Sequence, residues 1–536
     1  MSTFIPTLQQ QAAIDCEGSV IITACPGSGK TTVMTEKIRK ITPDLPPHKG
    51  VIAITFTKKA SEELRNRCKE NAHDTKRSFF GTIDSFCLKE LIIPFLARVW
   101  GGEPPECQIV KSLDSHQQLF LLGQYSSPSV SDLIDDSGFK KLYDTGILWM
   151  NSFSALSLLV LQESLAAQRY IKSRYSHVFI DEYQDSSESQ HELFITLFKL
   201  GLTAIAVGDV DQSIYRFRGS NPKFLLDLKT DSTHFYHFNL DINHRCHPSI
   251  VNYASRLLDP KYQLLPHDDD IKVFRFLLEG NLKNAAETIT SWIPEWLNNK
   301  DIKQASDVAV LAKKEKSLKE FSSGLNIEYR LYIDTPLDFI GTECADIYTD
   351  ILLYKYKTIS TAQDFIDKYS NRINSVNDSE LRRKLKSLRD EKNLESFVEQ
   401  CNYFSALMGI DNSLTESEAV KSLWGDETLL KLFKPVANDE VQIMTLHKSK
   451  GLEFKVVVHI DLEEWSFPHR IPGANWDEVI YPSLEQDTNL HYVGITRAEQ
   501  LCVLIRTSLR QNASGGYGNS RPSYFLNLAQ LEGLYQ

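Results

Sequence analysis

The 536-residue chain lacks a long hydrophobic run, an ordered set of cysteines and any excess of positive charge, and each shortage removes a class of explanation. No uninterrupted apolar stretch reaches the roughly 18 residues needed to cross a bilayer. The opening MSTFIPTLQQQAAIDC has no basic segment followed by an apolar one. The sequence therefore predicts a cytoplasmic protein that neither enters nor crosses a membrane. Nine cysteines are scattered without a CxxC pair, which argues against a disulfide framework or a four-cysteine cluster and fits a reducing compartment. A net charge of −11 offers no overall attraction for nucleic acid, although an acidic protein can still carry a basic groove. No repeat of solenoid period is visible. The length exceeds what one core supports and predicts roughly two to four domains.

What is present is a series of short Val- and Ile-rich runs that end in polar or glycine residues. SVIITACPGSGKTT, GVIAITFTKK, HVFIDEYQD and TAIAVGDVDQ come early, and VQIMTLH and KVVVHIDLEE follow much later. Such runs predict parallel strands buried on both faces, with chemistry at their C-terminal ends. Two groups of them predict two α/β cores. Helical spacing in ALSLLVLQESLAAQRYIKSR and ELRRKLKSLRDEKNLESFVEQ marks inserted helical segments over about 88–175 and 345–437.

ACPGSGKTT sits between a strand ending near Ala24 and a helical pattern, the context a phosphate-binding loop requires. Gly27 and Gly29, flanked by Pro26 and Ser28, let backbone N–H groups and the helix N-terminus face phosphate oxygens. Lys30 is then placed to neutralise β/γ charge, the Thr31 hydroxyl to ligate Mg²⁺, and Thr32 to follow beside the nucleotide. A glycine-rich turn with a solvated lysine is the competing reading, and the strand–turn–helix context disfavours it. In VFIDEYQD, Asp181 is the second candidate holder of the Mg²⁺ that accompanies ATP, and Glu182 the candidate base orienting the attacking water. Metal and lysine together would offset two carboxylates at the end of a buried strand.

Aromatic residues stand at the ends of VIAITF and in SIYRFRG. Phe56, Tyr215 and Phe217 lie beside Lys58, Lys59, Arg216 and Arg218. Stacking of a base on an aromatic side chain is worth ~1–3 kcal/mol whatever the base. Taken alone such residues more often pack in a core, and a track for single-stranded DNA is what the order of motifs along the chain implies for them.

QQQAAI, the phosphate loop, VIAITFTKKASEEL, GTIDSFC, DEYQD, AVGDVDQSIYRFRGS, INHRCHPSI, VQIMTLHKSKGLEF and YVGITRAEQ occur in this order. Together they resemble the UvrD/Rep/PcrA-like superfamily 1A helicases over about residues 8–505. The resemblance implies two RecA-like cores with two mainly helical insertions, the second reduced. The segments it implies are 1–87, 176–240, 241–344 and 438–536 for the cores, and 88–175 and 345–437 for the insertions. It implies ATP hydrolysis with Mg²⁺ and 3′ to 5′ translocation on single-stranded or tailed DNA. Within it, Gln10 looks like the residue that reads adenine, although Gln9 and Gln11 compete for that place. Gln212 looks like the residue that couples the γ-phosphate to the DNA-facing loop. Arg245 and Arg497 resemble arginine fingers on the second core's side, and Glu453 resembles a ribose contact. Thr57, Thr82, Thr445 and His447 fall along the strand path, and Lys450 shares the motif of His447.

The departures are specific. Ala24 replaces a first glycine. His244 stands where an aromatic stacks on adenine, and Thr32 where an arginine touches the base; both predict relaxed base selectivity. Asp84 stands where relatives often have histidine. His234, His237, His244 and His247 have spacings suggestive of zinc, but two fall in or beside the nucleotide motif. The short stretch before MTLH predicts that translocation survives the reduction while processive unwinding by the chain alone does not, and the short tail after GITRA predicts no fused nuclease. Size and missing parts resemble the helicase-like subunit of Gabija-type antiphage systems, which implies a separate partner, an OLD-family nuclease with ATPase and Toprim domains. A nucleotide-binding scaffold without turnover is disfavoured, because Lys30, Glu182, Gln212, Arg245 and Arg497 are all present.

Overall fold

The computed structural model describes residues 5–102, 104, 107–215, 219–298, 301–359, 361–369, 378–410, 414–473, 479–512 and 515–536. The chain forms two units, each built on one six-stranded, fully parallel sheet. The α/β class with two RecA-like cores expected from the sequence is what the strands form.

In the first unit the strands are β1 (Val20–Ala24), β2 (Gly50–Ile54), β3 (Phe79–Gly81), β4 (Tyr175–Ile180), β5 (Thr203–Gly208) and β6 (Tyr236–Leu240), arranged β3-β2-β4-β5-β1-β6. Every residue of β1 and β2 is buried. That accounts for their continuous apolar runs, because a strand covered on both faces has no solvent side to mark with polar residues. The register aligns Ile22 with Val207 and with Phe238, so the C-terminal ends of β5, β1 and β6 come out together. The inserted helices before β4 include Phe153–Glu163, buried from Phe153 to Leu161.

In the second unit the strands are β7 (Val273–Leu278), β8 (Val308–Ala312), β9 (Tyr329–Tyr332), β10 (Val441–Thr445), β11 (Phe454–His459) and β12 (Ala498–Thr507), arranged β9-β10-β8-β11-β12-β7. Helices from Glu343 to Trp424 surround a core of their own that includes Tyr348, Ile351, Phe365, Leu385, Phe397 and Phe404. The reduced insertion is thus a packed helical subdomain.

The two units divide the chain differently from the expected boundaries at three places, one being residues 108–112, expected within the first insertion, which fall in the second unit. Residues 241–260 and 484–496 belong to the first unit rather than the second core. The reason is packing: the helix Pro248–Leu258 lies against the helix Leu484–Ile495, and Cys246 Sγ donates to the Thr496 carbonyl at 3.5 Å. Among the described residues no helix is long and apolar enough to cross a membrane.

Candidate nucleotide and nucleic-acid site

At the end of β1 the chain must reverse within a few residues to enter the helix Lys30–Ile41. Gly27 (φ +67°) and Gly29 (φ +81°) take left-handed backbone there, the region glycine occupies at no steric cost. A Cβ on Gly27 would fall 2.5 Å from the Arg245 Cβ and 2.7 Å from Asn243 Oδ1, so the loop is closed to larger residues. Ser28 Oγ donates to the Cys25 carbonyl at 2.8 Å and pins the turn. The helix receives no side-chain cap from Gly29, and its first N–H groups are the natural seat for an anion. Lys30 Nζ is buried, lies 3.9 Å from Asp209 Oδ2 and makes no hydrogen bond among the described residues. A buried ammonium with unspent donors beside an uncapped helix N-terminus fits a phosphate chain.

Sheet order brings the acids to this loop, since β4, β5 and β1 are neighbours. Asp181 follows β4, its N–H donating to the Ile54 carbonyl and its Oδ1 accepting from the Glu182 N–H, both at 2.9 Å. Glu182 itself is left-handed, φ +53° and ψ +41°, a conformation that costs a non-glycine residue of order 1–3 kcal/mol and collects at functional sites. From Glu182 a continuous line of hydrogen bonds runs across two strand ends. Gln184 Nε2 donates to Glu182 Oε2 at 2.6 Å, Gln184 Oε1 accepts from the Asp209 N–H at 2.9 Å, and Gln212 Nε2 donates to Asp209 Oδ2 at 2.6 Å. Gly208 is required beneath it, because a Cβ there would sit 2.5 Å from Gln184 Oε1. Burial raises the Asp209 pKa, opposed by Lys30 and the Gln212 hydrogen bond and reinforced by Glu182. Lys30 is what keeps a carboxylate tolerable there. Neither Gln184 nor Asp209 was singled out from the sequence. The signal was available in their motifs, DEYQD and GDVDQ, but only adjacency of β4 and β5 shows that they meet.

Of the three neighbouring glutamines, Gln10 is the one whose side chain bonds to the phosphate loop. Gln10 is buried, its Nε2 donates to the Ser28 carbonyl at 2.9 Å, and its Oε1 accepts from the Thr7 N–H at 2.8 Å. Gln11 donates instead to Asp15 at 2.8 Å on the exposed side. The loop leaving β6 runs over the phosphate loop, with the His244 N–H donating to the Gly27 carbonyl at 3.0 Å and Asn243 Oδ1 accepting from the Arg245 N–H at 2.8 Å. Arg245 therefore belongs to the first unit, not to the second core, because β6 flanks β1 and its exit passes the loop. The other histidines are spoken for separately. His237 Nε2 meets Thr23 Oγ1 at 2.8 Å, His234 pairs with Asp231 at 2.9 Å, and His247 accepts from the Ser249 N–H at 3.3 Å. No cluster of three metal-ligating side chains occurs among the described residues.

Phe56 and Tyr215 stack on one another, centroids 4.8 Å apart and planes 22° apart. They form one two-ring platform rather than two separate stations, with Phe56 38% exposed and Tyr215 nearly buried. Phe217, with Arg216 and Arg218, lies outside the described residues. Thr57 caps the helix that Lys58 opens, accepting from the Ala60 N–H at 3.1 Å, and Thr82 caps Ile83–Phe86, accepting from the Ser85 N–H at 3.3 Å. In the second unit Thr445 ends β10 and its Oγ1 accepts from the Lys448 N–H at 3.3 Å. Lys450 donates its N–H to the His447 carbonyl at 3.4 Å, and Glu453 directly precedes β11. Buried Arg497 donates from Nη1 to the Leu452 carbonyl at 3.2 Å.

Asp84 gives a pH-dependent prediction. Burial pushes its carboxyl from 3.8 up to about 6. The folded state therefore holds that proton more tightly than the unfolded chain. The cost of the buried charge is present above about pH 6 and disappears as pH falls towards 4. Asp84→Asn removes the charge and should stabilise the protein at pH 8 by about 1–2 kcal/mol, after discounting for partial solvent access. The gain should vanish near pH 4. Thermal melts of both proteins at the two pH values decide it; a pH-independent difference would assign the effect to something else.

The UvrD/REP helicase N-terminal domain matches residues 6–123 and 129–233, and the UvrD-like helicase C-terminal domain matches 345–508. The chain is 26% identical to the Gabija protein GajB of Bacillus cereus (strain VD045), over 93% of its own length and 95% of that protein. It is 25% identical to the ATP-dependent DNA helicase Rep of Buchnera aphidicola subsp. Schizaphis graminum, over 92% and 91% of the two chains. With the ATP-dependent DNA helicase PcrA of Bacillus subtilis (strain 168) it shares 23% identity, over 94% and 82%.

Proposed function

The chain belongs to the UvrD-like helicases, ATP-hydrolysing enzymes, and on that premise we propose that it is a DNA-dependent ATPase that translocates 3′ to 5′ on single-stranded DNA and opens duplexes from a tail. The observation that carries this reading is the line Glu182–Gln184–Asp209–Gln212 beside Lys30, which continues within three residues of backbone to Tyr215 and its stack on Phe56. One short segment thus joins the nucleotide end of the sheet to an aromatic platform.

In this reading Lys30 and the N–H groups of Gly27 to Thr32 bind and neutralise the β- and γ-phosphates. Glu182 accepts the proton of the attacking water, and Gln212 registers the γ-phosphate through Asp209. Thr31 and Asp181 would hold Mg²⁺, which when bound supplies charge compensation to the same phosphates. Arg245 and, by its motif, Arg497 stabilise the charge spread over the transferring group, a contribution typically about 10³–10⁵ in rate. Gln10 reads the base, with His244 beside it, and Glu453 contacts the ribose. Phe56, Tyr215, Thr57, Lys58, Thr82, Thr445 and His447 follow the strand, joined by Phe217 and Arg218.

The test is phosphate release measured with single-stranded, duplex and 3′- or 5′-tailed DNA. Single strands should stimulate turnover sharply, and 3′ tails should support strand separation. Absence of stimulation by any nucleic acid would end the proposal.

A second reading is favoured by length: the Gabija protein GajB matches almost end to end, whereas PcrA extends beyond the aligned part. Here the same motor serves a partner, an OLD-family nuclease with ATPase and Toprim domains, in antiphage defence. Co-purification with a neighbouring gene's nuclease, and a change in phosphate release on adding it, would support this reading; independence of the two proteins would remove it.

A further inference from the structure

A fully satisfied buried charge of the first unit lies outside the site described above. Lys37, two turns beyond Lys30 on the helix Lys30–Ile41, is 2% exposed. Its Nζ donates to the carbonyls of Ala13 at 2.9 Å, Ile14 at 3.3 Å and Cys16. An ammonium has three N–H donors and no acceptor. Three carbonyls take all three, so the charge can remain although burial lowers the pKa.

Those carbonyls form the C-terminal end of the helix Leu8–Asp15, where the macrodipole favours a cation. The helix has eight residues, too few to hold its shape or place without tertiary contacts. Its start is fixed by Thr7 and Gln10, which bond to each other's backbone N–H at 3.2 and 2.8 Å. Its end is fixed by Lys37, with an exposed Lys40–Asp15 pair at 2.7 Å as a weaker second tie. Gln10 lies one turn, ~4.5 Å of helix rise, before Ala13, and its amide meets the Ser28 carbonyl of the phosphate loop at 2.9 Å. A Cβ on Gly29 would come within 3.0 Å of that amide, so little freedom exists in where it stands.

We propose that Lys37 is a positioning residue for nucleotide recognition: it binds the helix carrying Gln10 to the helix that begins with Lys30, and so sets the base-reading amide against the phosphate loop. The inference rests on the reading of Gln10 as the base contact. Lys37 touches neither substrate nor reacting atoms, and its effect travels through Gln10.

Steady-state phosphate release on saturating single-stranded DNA, with the full chain, separates this role from a purely structural one. Lys37→Met should raise KM for ATP about tenfold, as much as Gln10→Ala, while kcat stays within about twofold. The Gln10→Ala/Lys37→Met double variant should be no worse than either single change, because both remove one function. Inhibition by inorganic tripolyphosphate, which has no base, should be unchanged. Lys37→Arg should recover most of the affinity. Should Lys37→Met fail to fold, Lys37→Gln, which keeps two donors, carries the same readouts at smaller size. An unchanged KM, additive effects in the double variant, or an equal loss of tripolyphosphate binding would each overturn the proposal. If the unmodified protein binds ATP but shows no turnover, the motor reading fails by itself, and the same comparison is made on nucleotide affinity.

Discussion

Glu182→Gln should lower kcat by about 10³-fold, within the usual range for loss of a general base, while ATP still binds. The replacement is isosteric, and its amide oxygen can still accept the hydrogen bond that Gln184 Nε2 makes to Glu182 Oε2. The line to Asp209 and Gln212 is then preserved and only basicity is lost. Lys30→Ala should also abolish turnover but through a different step, since it removes the cation beside the phosphates and leaves Asp209 buried without its partner. Nucleotide binding measured alongside phosphate release distinguishes the two.

Backbone conformation supplies an independent check on Glu182. Because the residue is left-handed, Glu182→Gly should melt higher than Glu182→Ala by the equivalent of ~0.5–1 kcal/mol, the relief of backbone strain less the extra freedom glycine has in the unfolded chain. Both variants equally remove the acceptor of buried Gln184 Nε2. A glycine variant that melts higher than the alanine one and turns over no ATP would show strain kept for chemistry. Retention of turnover in Glu182→Gln or Glu182→Gly would remove the base from the proposed mechanism.

Phe56→Ala should weaken binding of a single-stranded oligonucleotide by about 5–150-fold, the factor equivalent to ~1–3 kcal/mol of base stacking. Stimulation of phosphate release should fall with it, at unchanged basal turnover. Phe56 is suited to this test because it is 38% exposed and stacks on Tyr215 from outside. Its loss opens no core cavity, whereas Tyr215→Ala would confound binding with folding. Phe56→Trp keeps the stack and should retain or increase affinity. Fluorescence anisotropy with labelled oligothymidylate, at one fixed salt concentration, reads the effect. A dissociation constant for Phe56→Ala within twofold of the unmodified protein would mean that DNA runs elsewhere.

Local rules carried much of this protein in the sequence itself. A strand buried on both faces must be apolar throughout, a reversal at its end needs left-handed glycines, and phosphate chemistry needs a lysine at the helix start. Val20–Lys30 therefore announced itself without coordinates, as did the acids after Ile180. What only the tertiary structure decided depends on which strands are neighbours. The contact between Gln184 and Asp209 requires β4 beside β5, the place of Arg245 requires β6 beside β1, and the bond from Gln10 to the phosphate loop follows from the face the Leu8–Asp15 helix turns to the loop. Lys37 was invisible for the same reason: its partners are carbonyl oxygens, which every residue carries, and only packing shows which of them a buried ammonium meets. Spacing along a chain records local geometry, whereas pairings between distant segments are chosen by burial and hydrogen-bond satisfaction across the whole sheet.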